Sequence, residues 1–336
     1  MPYRAPVDDY RFLFDHVVDL AQVTGTDRFA EATDDLTSAI LTEAGKLCEE
    51  VMAPLQRPGD LHPARLENGV VRTAPGYAEG YKAIAEGGWV GMAADPEYGG
   101  MGLPMTVTTA VNEMMSAACL SLQLSPLMTQ GQIEALEHHA SDELKALYLP
   151  KLISGEWTGT MNLTEPQAES GISLFLVPRN LPDENGNAGV ANSLKVVSLE
   201  HKMGLHGSPT CVMQYDGAKG WLVGPEGGGM AAMFTMMNNA RLGVGGQGVG
   251  AAEGAYQHAL AYALDRKQGR TEGETGAIID HADVRRMLMT MRADTYAARG
   301  IALMCAVAID MTTATGDDKW KSRAALLPPI AKAFGT

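Results

Sequence analysis

From Asp8 to about Pro150 apolar residues recur at steps of three and four, the spacing that lines one face of a helix. Leu36, Ile40, Leu41, Ala44, Leu47, Cys48 and Val51 form the clearest stripe. Pro54 and Pro58 are expected to end that helix, since proline lacks the N–H and crowds the carbonyl four residues back. A loop is expected between Asp95 and Pro104, where Pro96, Gly99, Gly100 and Gly102 gather. Helical texture resumes from Val107 through Leu147.

Between about Gly155 and Pro225 the pattern shortens. Ile172 to Val177 is an apolar run stopped by Pro178 and reads as a strand. Lys195–Leu199, Cys211–Tyr215 and Trp221–Val223 read likewise. Asn185-Gly186 and Asp216-Gly217 are turn signals between them. So few strands fall short of a closed sandwich. After Gly227 the helical spacing returns. Ala252, Ala255, Tyr256, Ala259, Leu260, Ala263 and Leu264 form one stripe, and Val284, Met287, Leu288, Met291 and Thr295 another. A last helix is expected over Ala324–Phe334. The order predicts a mostly α, α+β protein with segregated elements. It comprises an N-terminal helical domain (1–154), a small, incomplete β middle region (155–225) and a C-terminal helical bundle (226–336).

Composition narrows the function. The 336 residues are 46% hydrophobic and 20% charged, with a net charge of −14. That balance argues against nucleic acid or an anionic membrane as partner, and an anionic ligand would need a local basic patch. Cys48, Cys119, Cys211 and Cys305 lack metal or redox spacing and are expected to be reduced and buried. The opening residues contain no apolar signal core, and no uninterrupted apolar run approaches the ~20 residues that cross a bilayer. Cytoplasm is the default expectation.

Gly243, Gly245 and Gly248 match G-x-G-x-x-G, with Asp265 near the expected acidic position. A dinucleotide site needs a strand immediately before the glycines. Met230–Met237 precedes them and is helix-like, so a close helix-packing face is the better reading. His138 and His139 are adjacent, point to different sides of a helix and share a metal poorly. No metal site is expected. Nucleophile-elbow and P-loop motifs do not occur in the sequence. Met230, Met233, Met236 and Met237 could line an adaptable apolar pocket, though core packing is favoured.

Leu163-Thr-Glu-Pro-Gln-Ala168 stands at the entry to the β region. Turn N–H groups and a Thr hydroxyl can bind the carbonyl edge of a flat heterocycle, although a plain helix-to-strand connection would look the same. This segment resembles the T-E-P-x-A-G-S-D signature of the acyl-CoA dehydrogenases. Lys202-Met-Gly-Leu-His-Gly-Ser-Pro-Thr210, Pro225-Glu-Gly-Gly-Gly-Met230, Asn239-Ala-Arg241 and Ala263-Leu-Asp-Arg-Lys-Gln-Gly-Arg270 resemble later segments of that family, in order. The N-terminal lead and the Arg266–Arg270 run are most similar to the larger subgroup that includes 3-methylmercaptopropionyl-CoA dehydrogenases.

The resemblance implies an FAD enzyme of fatty acid metabolism that oxidises the Cα–Cβ bond of an acyl-CoA and passes electrons to an electron-transfer flavoprotein. Met161, Leu163 and Thr164 would hold the flavin ring. Ser170 and Arg241 would lie on the substrate side. Arg266 would reach the flavin diphosphate of a neighbouring subunit, implying a homodimer or homotetramer. A planar guanidinium suits that diphosphate, although a cation at a helix C-terminus has its own use.

The sequence also departs from the family pattern. Glu169-Ser-Gly171 replaces Gly-Ser-Asp, and the chain passes directly to Ile172–Val177, which resembles a later strand. The family's catalytic Glu stands in a Y-E-G-T context that this sequence does not contain. An internally deleted and C-terminally truncated member is therefore expected, with its catalytic residue unknown. Two other readings stay open: a non-catalytic acyl-thioester-binding or scaffold protein, and, last, a nicotinamide enzyme.

Overall fold

A computed structural model describes residues 3–162, 172–271, 273 and 275–336. The first helices are α1 (Val7–His16), α2 (Ala21–Thr24), α3 (Asp34–Lys46) and α4 (Ala53–Leu61). The hairpin β1 (Arg65–Glu67) and β2 (Val70–Arg72) follows, then α5 (Tyr77–Glu86), α6 (Met105–His139) and α7 (Asp142–Ile153). Six short strands come next: β3 (Leu174–Leu176), β4 (Asn180–Pro182), β5 (Ala188–Ala191), β6 (Leu194–Leu199), β7 (Cys211–Tyr215) and β8 (Trp221–Val223). Three long helices close the order, α8 (Gly229–Asp265), α9 (Ala282–Thr315) and α10 (Asp318–Gly335). This is the mostly helical α+β architecture expected.

The chain forms two compact units. One holds residues 1–54, 103–120 and 241–336; the other holds 55–102 and 121–240. Both α6 and α8 pass from one unit to the other. Within α6 the break is local: Cys119 leaves the helical region, with φ −155° and ψ 88°.

Several local expectations are corrected. Pro54 and Pro58 do not end the helix. A π-helical turn over Leu47–Met52, closed by the Ala53 N–H donating to the Cys48 carbonyl, passes directly into α4, which contains both Pro54 and Pro58. In the α3 stripe Thr37 is buried while Leu36 is 42% exposed, so the buried face is rotated by one residue at its start. The strand read over Ile172–Val177 is a strand at Leu174–Leu176, opposite Trp221–Val223, and Ile172 makes an isolated bridge to Gly228. The unpredicted hairpin β1–β2 turns on Asn68 (φ 52°) and Gly69 (φ 77°). Left-handed backbone at both positions is what an Asn-Gly hairpin turn requires. Among the described residues the strands pair as two-stranded antiparallel ribbons. One ribbon cannot cover both its faces, so Cys211 on β7 is only half-buried, unlike Cys48, Cys119 and Cys305.

In the unit that contains α9, one cluster of the core is built mostly on small residues. Leu242, Ala302, Cys305, Ala306 and Ala331 cluster together. A Cβ on Gly248 would overlap the Gly335 carbonyl, and one on Gly245 would sit 3.0 Å from the Ala331 carbonyl oxygen. The G-x-G-x-x-G run is therefore helical and serves close helix packing, with no strand before it. Asp310 on α9 caps the start of α6, accepting from the Met105 N–H (2.6 Å), the Thr106 N–H (2.9 Å) and the Thr106 hydroxyl (2.6 Å). Helix α9 also has the length and apolar composition to cross a bilayer, which the unbroken-run criterion passes over. Its most apolar window is 61% buried, as in the core helix of a folded bundle.

Candidate functional site

The approach to the expected flavin turn is well anchored. Ser141 caps α7, accepting from the Leu144 N–H. After α7 the chain crosses Trp157, whose ring packs on Tyr148 at 5.6 Å, and Tyr148 packs in turn on Trp221. The Lys151 ammonium lies 5.8 Å from the Trp157 ring centroid. Burial pushes the Tyr148 hydroxyl up to about 12. The Gly159 N–H donates to the Thr129 hydroxyl of α6 at 3.0 Å. A Cβ on Gly159 would overlap the Gln132 amide oxygen, so the backbone runs directly over that side chain. Among the described residues that buried oxygen has no hydrogen-bond partner. Met161 follows, half-buried, and the Asn162 amide donates to the Tyr215 hydroxyl at 2.8 Å.

Leu163, Thr164 and Ser170 lie outside the described residues. Arg241 is half-buried on α8 at the passage between the two units. Arg266 is exposed one residue past the end of α8, where its N–H donates to the Tyr262 carbonyl and its carbonyl accepts from the Ile278 N–H. At 1.5 Å per residue, Arg241 and Arg266 stand roughly 37 Å apart along one helix. They cannot serve one small group within a single chain.

Periodicity missed Glu134. It sits on α6, and the Asn239 amide donates to its carboxylate at 2.7 Å. Burial raises its pKa, with Asn239 pulling the other way. Beside it, Met236 packs over Gly131, and His139 Nε2 is 2.7 Å from the Thr235 hydroxyl. Burial lowers the His139 pKa, and His138 adds to this. Met233 and Met236 are buried, in line with core packing, while Met230 is 39% exposed. A carboxylate recurring on an otherwise apolar helix face was the signal available. Among the described residues the groups of His, Cys, Asp and Glu form no metal cluster.

Among the described residues the Gln132 Oε1, buried beside Gly159, has no partner, and an acceptor of this kind could take an N–H from a planar ring such as a flavin. The buried acids Glu113, Glu253 and Asp310 are already held by Arg299 or by the start of α6, and Glu134 by Asn239.

Two family models match the chain. The acyl-CoA dehydrogenase N-terminal domain matches residues 35–156, and the C-terminal domain matches residues 227–334. The whole chain aligns at 40% identity with the 3-methylmercaptopropionyl-CoA dehydrogenase of Ruegeria pomeroyi, covering 67% of that protein. The chain belongs to the acyl-CoA dehydrogenase family. The alignment runs over 396 residues against a chain of 336, so the relative carries positions that this family member lacks. A butyryl-CoA dehydrogenase of Syntrophomonas wolfei is 28% identical over 89% of the chain, which spans 60% of that relative. Across four such relatives the chain spans 60% to 67% of their length. The fold matches the solved butyryl-CoA dehydrogenase of Megasphaera elsdenii with a TM-score of 0.69 at 19% identity, over 90% of this chain and 84% of that one.

Proposed function

We propose that this family member binds FAD and an acyl-CoA thioester, and belongs to an assembly that oxidises the thioester at Cα–Cβ to the trans-2-enoyl-CoA. The observation that carries this reading is the whole-chain match to a thioester dehydrogenase, with the Leu163–Ala168 sequence motif between the two segments that the family models match. The bound flavin would supply hydride acceptance. Met161, Leu163 and Thr164 would hold its ring edge, beside the unpaired Gln132 oxygen. Ser170 and Arg241 would orient the thioester, and Arg266 would hold the diphosphate of a second copy's flavin, making at least a dimer.

Among the described residues, Glu113, Glu253, Asp310 and Glu134 are already engaged, so none of these four would serve as the general base. Loss of a general base costs about 10²–10⁴-fold in rate. An electron-transfer flavoprotein would reoxidise the flavin, and cytoplasm would be the compartment. The segments 1–154, 155–225 and 226–336 would be the three modules of this function. The Gln132 oxygen also favours a second reading, a thioester-binding protein without turnover, since a binding site needs no base. Purified protein assayed for flavin absorbance, and for turnover of butyryl-CoA and 3-methylmercaptopropionyl-CoA with an artificial electron acceptor, separates the two. Bound flavin supports the first reading. Thioester binding without flavin would leave only the second.

A further inference from the structure

One groove stands apart from all of these residues. It runs along α9, with α1 and the last turns of α8 at its sides, and measures about 790 Å³. Met289, Ala293, Ala297, Gly300 and Met304 of α9 all line it. Steps of four, four, three and four return these residues to one narrow face of the helix. That face is uncovered. Met289 is 72% exposed and Met304 47%, and Ala293 and Ala297 are exposed between them. Gly300 lies below the surface, yet a Cβ there would meet nothing within 4 Å, so it leaves a dent. Two methionines thus bracket three small residues. Measured from the Tyr296–Ala297 peptide, Met289 and Met304 are equally far along the helix, and so are Ala293 and Gly300.

We propose that this face of α9 docks on the same face of a second copy, the two helices running antiparallel about a two-fold axis near Tyr296–Ala297. A two-fold contact must be complementary to itself, each residue meeting its counterpart in reverse order. Here Met289 of one copy meets Met304 of the other, and Ala293 meets Gly300. Small residues at the centre let the helix axes approach closely, and flexible thioethers fill the space at either end. Charge points to the same occupant. The start of α9 exposes Arg285 and Arg286, and its end runs into exposed Asp317 and Asp318. Antiparallel docking turns the basic end of each helix toward the acidic end of the other and opposes the two helix dipoles. The stripe itself carries no charge, and Arg292 beside it is matched by Asp9 at 2.6 Å. The net charge of −14 belongs to the whole surface and is screened beyond about 8 Å at physiological salt. The choice of a second copy rests on the dimer proposed above, to which this face would give a contact independent of flavin.

Sedimentation equilibrium of the full chain tests it. The parent should associate reversibly beyond the monomer. Ala297→Glu, at an exposed helix position, sets two carboxylates against each other across the axis. It should raise the dissociation constant about tenfold or more, with the helical circular dichroism unchanged. Ala297→Cys should give a covalent dimer with a short bis-maleimide, in a yield that the parent, whose Cys211 is half-buried, does not approach. This variant carries the test if Ala297→Glu does not fold. A parent that is monomeric at every concentration overturns the proposal. So does an assembly that Ala297→Glu leaves intact, or an Ala297→Cys protein that cross-links no better than the parent. Dissociation in Arg266→Ala but not in Ala297→Glu would keep the proposed dimer and remove this face from it. The reverse result supports the α9 contact and removes Arg266 from the interface.

Discussion

Arg299 donates to one oxygen of Glu113 through both Nε and Nη2, at 2.8 and 2.7 Å, and both residues are buried. Nη2 also donates to Glu253 at 2.8 Å, and Nη1 lies 3.6 Å from Asp9. One helical residue thus joins α1, α6 and α8 to α9. Removing one member of a buried ion pair leaves the other uncompensated and costs about 3–5 kcal/mol. Arg299→Met should lose that much in urea unfolding.

The pH dependence of that variant has a definite sign. Burial already raises Glu113, against the pull of Arg299. Without Arg299 it rises further. A carboxyl whose folded pKa lies above its unfolded value destabilises the fold at high pH and ceases to do so as it protonates. The deficit of Arg299→Met should therefore shrink between pH 8 and pH 5. A pH-independent loss below about 1 kcal/mol would show that this cluster does not hold the unit together.

Asp310 titrates nearer neutrality, since burial pushes it up to about 7 despite three donors from Met105 and Thr106. Its folded pKa exceeds its ordinary value near 3.9, so the ionised form is disfavoured by folding. Stability from this group is fullest below about pH 4 and declines as pH rises through about 7. Chemical denaturation should show the parent losing ground to Asp310→Asn over that window. Asp310→Ala leaves the start of α6 uncapped and should cost about 1–3 kcal/mol at every pH. A parent-to-Asn difference that stays level with pH would contradict the assignment.

Gly248 of the α8 run can be told apart from its neighbour Gly246. A Cβ at Gly248 would overlap the Gly335 carbonyl, whereas one at Gly246 would meet nothing within 4 Å. Overpacking costs about 1–3 kcal/mol, while Gly→Ala in a helix interior gains up to about 1 kcal/mol. Gly248→Ala should lower the melting temperature and Gly246→Ala should hold or raise it. A dinucleotide site would reverse the emphasis, with both variants losing NAD affinity and keeping their stability.

The sequence's legibility followed from how local each signal was. Cys211–Tyr215 and Trp221–Val223 were read to the residue because turn residues flank short apolar runs. The α8 stripe was not. Ala252, Ala255 and Leu264 are exposed, and the buried neighbour is Glu253, whose charge is offset by Arg299, 46 residues away. Periodicity places a carboxylate on the surface, since its partner is invisible at short range. The same holds for Glu134 and Asn239, 105 residues apart. The family motifs were legible as words. The unpaired Gln132 oxygen and the close approach of Gly159 needed coordinates.

The separation of Arg241 from Arg266 makes the last prediction. Both arginines are proposed for the site, yet roughly 37 Å of helix divides them. If Arg266 reaches another chain's flavin diphosphate, its loss should empty the flavin site without weakening thioester binding. Arg266→Ala should drop flavin per chain at least tenfold in the absorbance spectrum, and should convert dimers to monomers only insofar as the flavin bridges them. Arg266→Lys should restore little, since a point charge cannot match two phosphate oxygens as a planar fork does. Arg241→Ala should do the converse, weakening butyryl-CoA in a calorimetric titration while flavin content holds. Equal effects of the two substitutions on both ligands would mean that one site, not two, had been disturbed. Full flavin retention by Arg266→Ala would remove the inter-subunit role.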